Sequence, residues 1–318
     1  EQPDLKSVFT LTVKAPKGWK VFSNAPTPSP EEEGEAWIYR FATTELTKRA
    51  VKTRFISDFM TLSDEDFTPD VKAVFLETPT NPTLQVTDIA AVAELTHRHG
   101  ALLIVDNTFM TPYLQRPLEL GADITVQSAT KFLAGHADLL AGVAATNDPD
   151  LAILLHRGQL VSGALLPPID SYRLLQDVKT LALRLERQQQ NARKLIEFLS
   201  ERPEVEKIFY AGSSSEEQAE VQSRQARGIS SVFSLLLKDG GDAQAFARSL
   251  PIFVNAVSLG GIESLVSLPA HTTHGAYAQE HRDEFGVDDR LVRLAIGIED
   301  VQDLIAALEI GLKAAFAG

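Results

Sequence analysis

The stretch ALLIVDNTFMTPYLQRPLELGADITVQSATKFLAGHADLLAG, residues 101–142, decides how the chain is read. It holds two short apolar runs, at 101–105 and 124–126. The first is closed by Asp106-Asn107-Thr108 and the second by Gln127-Ser128-Ala129-Thr130-Lys131. Runs that short and apolar on both faces suit strands of a parallel sheet buried between helical layers. A third run at 73–76 precedes them, closed by Glu77-Thr78-Pro79-Thr80-Asn81-Pro82. A helical pattern at 87–99, ending at Gly100, connects it to the next strand. Open parallel sheets collect ligands outside the carboxyl ends of their strands. From Glu77 to Asp106 is 29 positions and from Asp106 to Lys131 is 25, each about one strand–helix unit. A carboxylate, an amide, hydroxyls and a lysine are therefore expected along one edge.

Beyond this block the pattern stays α/β. A helix is expected over about 170–201, stopped before Pro203. Strands near 205–210, 230–236 and 291–296 then alternate with helices near 215–227, 242–249 and 300–315, as in a smaller second α/β domain. Toward the N-terminus the character changes. Phe9, Leu11 and Val13 alternate with Thr10 and Thr12, and Trp37, Tyr39 and Phe41 alternate after a Pro-rich stretch at 25–30. Two or three antiparallel strands around an exposed loop are expected there, with 47–70 as a junction.

The 318 residues are 44% hydrophobic and 23% charged, an ordinary globular composition. A net charge of −13 with no basic stripe argues against nucleic acid as a partner. The absence of cysteine excludes disulfides, thiolate nucleophiles and cysteine-ligated zinc or iron–sulfur sites. No apolar run is long enough to span a membrane, and Glu1-Gln2-Pro3-Asp4 does not read as a signal peptide, so a cytoplasmic enzyme is expected. His97 and His99 lie two apart on a helix and face different ways. His271 and His274 have no acidic or cysteine partner at ligand spacing, so no metal is expected.

Lysine, aspartate and hydroxyls at adjacent strand ends suit Schiff-base chemistry. A lysine amine becomes a useful nucleophile when its surroundings lower its pKa. Pyridoxal 5'-phosphate needs a lysine, an acid to keep its ring nitrogen protonated, and phosphate donors. Lys131, Asp106, and Ser128 with Thr130 answer to those needs.

At these residues the chain resembles the Cys/Met-metabolism (trans-sulfuration) family of pyridoxal-phosphate enzymes, the cystathionine γ-synthase, γ-lyase and β-lyase group. The stretches that carry the resemblance are VKAVFLETPTNP (71–82), residues 101–142, VKTLALRLERQQQNA (178–192), VSLGGIESLVSLPAHTTHG (257–275) and DRLVRLAIGIEDVQDLIAALE (289–309). The resemblance implies an α/β chain of the type I aminotransferase-like fold, with an incomplete large domain at 47–180, a smaller C-terminal domain at 181–318 and the β-segment at 1–46 in front. It implies Lys131 as the Schiff-base lysine and proton shuttle, Asp106 as the partner of the ring nitrogen and Thr108 beside the ring. Ser128 and Thr130 would bind the phosphate, and Asn81 would lie near the ring hydroxyl. Arg293 would clamp the substrate carboxylate with its planar fork, Ser264 would lie near the lysine, and Glu263 would bear on reaction specificity. The activity implied is β/γ-elimination or γ-replacement on cystathionine or an activated homoserine, in a homo-oligomer.

The family's tyrosine–arginine segment, its Ser-Gly-Met phosphate turn and its ring-stacking tyrosine have no counterpart in residues 1–70. Loss of three charge-assisted hydrogen bonds would remove about 4–9 kcal/mol of cofactor binding. A truncated or chimeric remnant that does not retain cofactor is the alternative. Residues 1–28, within a likeness that covers about 1–45, resemble part of the N-terminal β-domain of the zinc aminopeptidase N family, without its His-Glu-x-x-His helix.

Overall fold

The computed structural model describes residues 62–275, 278, 279, 282 and 286–317, with the backbone of three strands nearer the N-terminus. It divides into two units, Glu1–Ile56 and Ser57–Gly318. In the first, β1 (Thr12–Pro16), β2 (Glu31–Glu33) and β3 (Ala36–Arg40) form an antiparallel sheet in the order β1-β3-β2. The alternating positions Val13, Trp37 and Tyr39 fall on these strands. Phe9, Leu11, Phe41, the Pro-rich loop and positions 47–61 of the expected junction lie outside the described residues.

In the second unit β4 (Ala73–Glu77), β5 (Leu102–Asp106), β6 (Ile124–Ser128) and β7 (Gly142–Ala145) form one sheet in chain order. The pairs β4–β5 and β5–β6 are parallel, as expected, and β7 adds an antiparallel edge. Helix α1 (Ile89–Arg98) makes the first crossover. The Asp88 carboxylate caps it by accepting the Ala90 and Ala91 N–H groups. Its buried residues Ile89, Val92, Ala93, Leu95 and Thr96 fall at helical spacing. The first three pack with Leu76, Leu103 and Val105 of the sheet. The short helix α2 (Thr111–Leu114) follows β5.

Helix α3 (Pro149–Ser162) follows β7, and the single helix expected over 170–201 is two, α4 (Pro168–Asp177) and α5 (Leu181–Ser200). A 3-10 turn, Val178–Thr180, separates them. Val178 and Thr180 are β-branched, and the Thr180 hydroxyl donates to the Asp177 carbonyl at 3.0 Å, which favours a break over continuous helix.

The remaining strands are β8 (Val205–Phe209), β9 (Val232–Leu237), β10 (Val254–Asn255), β11 (Leu265–Ser267) and β12 (Leu291–Ala295), in the order β10-β11-β12-β9-β8. Helices α6 (Glu216–Gln225), α7 (Ala243–Arg248) and α8 (Val301–Ala315) complete this half. Leu195 and Leu199 of α5, Phe246 of α7 and Leu304 and Leu308 of α8 share one core with Phe233 and Leu294 of the sheet.

Buried polar side chains fasten the two sheets together. The Gln225 amide accepts from the Ile89 N–H at 3.2 Å and donates to the Thr87 carbonyl at 3.0 Å. Ser230 donates to the Phe109 carbonyl at 2.6 Å, and Ser234 to that of Pro82 at 2.8 Å. Groups of this kind hold their geometry because a buried donor without a partner is costly. The consequence for function is that β12 is held next to the loop after β4. Among the described residues no helix is long and apolar enough to cross a membrane, and no group of three metal-ligating side chains occurs.

Candidate active site

Lys131 sits in a tight turn after β6. Its N–H donates to the Ser128 carbonyl at 3.1 Å, and its own carbonyl accepts from Gly135 at 2.8 Å. The side chain is half-buried, and Nζ donates to the Ser258 hydroxyl at 3.0 Å. Burial, and then the Arg293 charge, push the amine pKa below the usual lysine range. Ser258 belongs to a glycine turn that lies directly on the lysine backbone. Gly260 has φ +81°, and a Cβ there would come within 2.5 Å of the Phe132 nitrogen and 2.9 Å of the Lys131 carbonyl carbon. Only glycine permits that approach.

From Lys131 the contacts run around a closed ring. Arg293, 3% exposed on β12, donates through one terminal nitrogen to the Ser258 and Val257 carbonyls at 3.1 and 2.6 Å. Through the other it donates to Asn81 Oδ1 at 3.0 Å. The Asn81 N–H in turn donates to the Glu77 carboxylate. Glu77 stands in register with Asp106 on the neighbouring parallel strand, so both carboxylates leave the same face at the same level. Asp106 Oδ1 accepts from the Thr108 N–H at 2.9 Å, and the Thr108 hydroxyl accepts from the Ser128 N–H at 2.8 Å. Ser128 returns to Lys131.

The ring carries unequal charges. Burial pushes the Arg293 guanidinium down to about 10, with Glu77 pulling the other way, so it stays cationic at neutral pH. Burial, then the Asp106 charge, push the Glu77 carboxyl up to about 7, against the Asn81 hydrogen bond and the Arg293 charge. A carboxyl raised in this way holds its proton more tightly in the folded chain. Its contribution to stability is full below about 4.5, the unshifted value, and is lost as pH rises through about 7. The Glu77 residue keeps solvent contact at the edge of its sheet. The contribution is therefore screened to about 1 kcal/mol, less than the shift alone gives. Denaturant unfolding at pH 5 and pH 8 is expected to show Glu77→Gln removing that part of the loss; an unchanged pH dependence would show that Glu77 does not titrate this way.

The ring unites Asn81, Asp106, Thr108, Ser128, Lys131 and Arg293, six of the residues singled out in the sequence. Thr130 stands beside it with its hydroxyl occupied, accepting from the Ala141 N–H at 3.0 Å and donating to the Ala141 carbonyl at 3.4 Å. Ser264 is placed otherwise than the sequence suggested. It is fully buried; its hydroxyl donates to Glu299 Oε2 and accepts from the Gly297 N–H, both at 2.9 Å. The serine that reaches Lys131 is Ser258, six residues earlier, on the other side of Gly260-Gly261. Glu263 is exposed. Glu77 was also missed as a site member, although it heads the ETPTNP stretch. The paired histidines go separate ways. His97 meets Asp123 at 2.9 Å, and His99 meets Asp64 at 2.7 Å while stacking on Phe67.

Residues 37–313 match the family model described as Cys/Met metabolism PLP-dependent enzyme. The chain belongs to that family. A cystathionine gamma-lyase of Bacillus subtilis (strain 168) is 42% identical over 271 residues, which are 84% of this chain and 71% of the relative. A cystathionine beta-lyase of Lactococcus lactis subsp. cremoris (strain MG1363) is 41% identical over 84% of this chain and 72% of its own length. The solved cystathionine gamma-lyase from Lactobacillus plantarum, complexed with L-serine, superposes with a TM-score of 0.81 at 38% identity, over 85% of this chain and 72% of that one.

The donor set suits the cofactor of this pyridoxal-phosphate family. Among the described residues Asp106 gives only Oδ1 to a protein hydrogen bond, which leaves Oδ2 for a ring nitrogen. The amine of Lys131 is shifted toward its neutral, nucleophilic form. The family match also begins at residue 37 and runs through 47–70. That corrects the limits of the resemblance, which the motifs alone had placed from residue 71, and it takes in the end of the 1–46 segment. Nothing among these matches supports the likeness of residues 1–45 to the aminopeptidase N β-domain.

Proposed function

We propose that the chain cleaves a carbon–sulfur bond of a cystathionine-type amino acid by β- or γ-elimination, with Lys131 as the reacting amine. The ring of contacts through Lys131, Ser258, Arg293, Asn81 and Asp106 carries this reading, and relatives that are cystathionine lyases favour elimination over replacement. Pyridoxal phosphate, when bound, supplies an electron sink for charge developing at the substrate Cα. Asp106, Thr108, Ser128 and Asn81 are the residues that would hold it. Thr130 contributes mainly by fixing the turn at Ala141.

The chain's own residues divide the remaining work. Arg293 spends three of its five N–H donors on Asn81, Val257 and Ser258, which fixes the guanidinium plane and leaves two for the substrate carboxylate. Lys131 takes the proton from Cα and returns it to the product, a task suited to an amine whose pKa is lowered toward the working pH. Ser258 keeps Nζ in place between those two transfers. In this reading residues of 47–180 would hold the cofactor, while Ser258 and Arg293 of 181–318 steer the lysine and the substrate. The test is thiol and keto-acid release from cystathionine by protein supplied with cofactor. Activity with O-acylhomoserine and none with cystathionine would overturn the choice of elimination.

We also propose that the chain works as a homo-oligomer. Helices α3 and α4 bury none of their residues, and Ile153, Leu154, Val161, Ile169, Tyr172 and Leu175 are all more than half exposed. Apolar faces of that extent mark contact surfaces.

A further inference from the structure

Arg184 lies in α5, outside the ring, and is 5% exposed. An arginine buried to that degree is unfavourable unless its donors are used. Four of the five are used, two of them on the turn that carries the lysine. One terminal nitrogen donates to the Phe132 carbonyl at 2.8 Å. The other donates to the Leu133 carbonyl at 3.2 Å and to that of Asp177 at 3.1 Å. Nε donates to the Thr180 hydroxyl at 3.1 Å. The 3-10 break between α4 and α5 is what brings the Asp177 carbonyl and Thr180 within reach.

The turn is shaped around this side chain. Gly135 has φ +76°, and a Cβ there would stand 2.0 Å from an Arg184 terminal nitrogen and 2.5 Å from the guanidinium carbon. Any other residue at 135 would evict the guanidinium. His136 completes the layer: Nδ1 meets the Ala134 carbonyl at 2.8 Å and Asp177 Oδ1 at 3.1 Å. The titratable groups around the clamp are thus Asp177 and His136. The charge of Arg293, on β12, also acts on Lys131.

We propose that Arg184 is a positioning residue for Lys131. By gripping the two carbonyls that follow the lysine, it sets where Nζ sits against Ser258 and how far the amine is withdrawn from water. This rests on Lys131 being the reacting amine, as proposed above. A planar fork can hold two neighbouring carbonyls at once, whereas an ammonium cannot hold both in a fixed plane.

The experiment measures the pH dependence of reductive methylation at Lys131 in cofactor-free protein, read by peptide mass spectrometry, for the parent, Arg184→Lys and Arg184→Ala. In the parent the labelling midpoint is expected below that of solvated lysines in the same digest. A parent midpoint equal to theirs would sink the reading of Lys131 itself rather than the role of Arg184. In Arg184→Ala the midpoint is expected to move up toward the solvated lysines, and low-millimolar guanidinium chloride should bring it back. With cofactor, kcat should fall on the order of 10²-fold, the scale of a roughly 1 Å misplacement, with less change in KM. Should the alanine variant not fold, Arg184→Lys carries the same midpoint reading. Variants that lose thermal stability but keep the parent midpoint would show a structural role only and overturn the proposal.

Discussion

Lys131→Ala is expected to leave the fold intact and remove the chemistry. The only protein hydrogen bond its side chain makes among the described residues is the one to Ser258, so the alanine variant should keep its far-UV spectrum and lose little stability. Elimination from cystathionine should fall by at least about 10³-fold, within the range that positioned acid–base groups contribute. The visible band of the cofactor should shift or vanish. Retention of activity within tenfold of the parent would mean that another amine does the work.

Arg293→Lys is the second large effect. Lysine keeps a positive charge at this site but cannot serve Asn81 Oδ1, the carbonyls of Val257 and Ser258, and a substrate carboxylate together. Losing a charge-assisted pair of about 1.5–3 kcal/mol should raise KM for cystathionine roughly ten- to a hundred-fold, with kcat changed less. Steady-state kinetics check it, with cofactor absorbance as the control for retained binding. An unchanged KM would show that the substrate carboxylate is held elsewhere.

Much of this was legible in the sequence because parallel strands announce themselves. The runs at 73–76, 101–105 and 124–126 are β4, β5 and β6, and the residues that close them reach one ring of contacts. What was missed lacked that signal. Strand β7, Gly-Val-Ala-Ala, has no large side chain to mark it and is exposed along its length. Helix α3 buries nothing, so no apolar stripe marks it, although Asp148 with Pro149 spells out its cap. Helix α5 falls within the helix expected over 170–201, yet nothing in that pattern showed that Arg184, Gln188, Gln189 and Asn191 on it are buried, each holding a backbone group of a loop. Spacing cannot reveal a buried amide whose partner lies in a distant loop. The same limit explains the serine. Ser258 and Ser264 flank one glycine pair, and only the turn at Gly260 shows which of them faces the lysine.

The most direct test of the central claim is to add pyridoxal phosphate to the protein, reduce with borohydride and map the modified peptide. The expected result is a visible band that borohydride bleaches, with the cofactor's mass added at Lys131 alone and lost in Lys131→Ala. No band, or the added mass on any other lysine of the chain, would contradict the account.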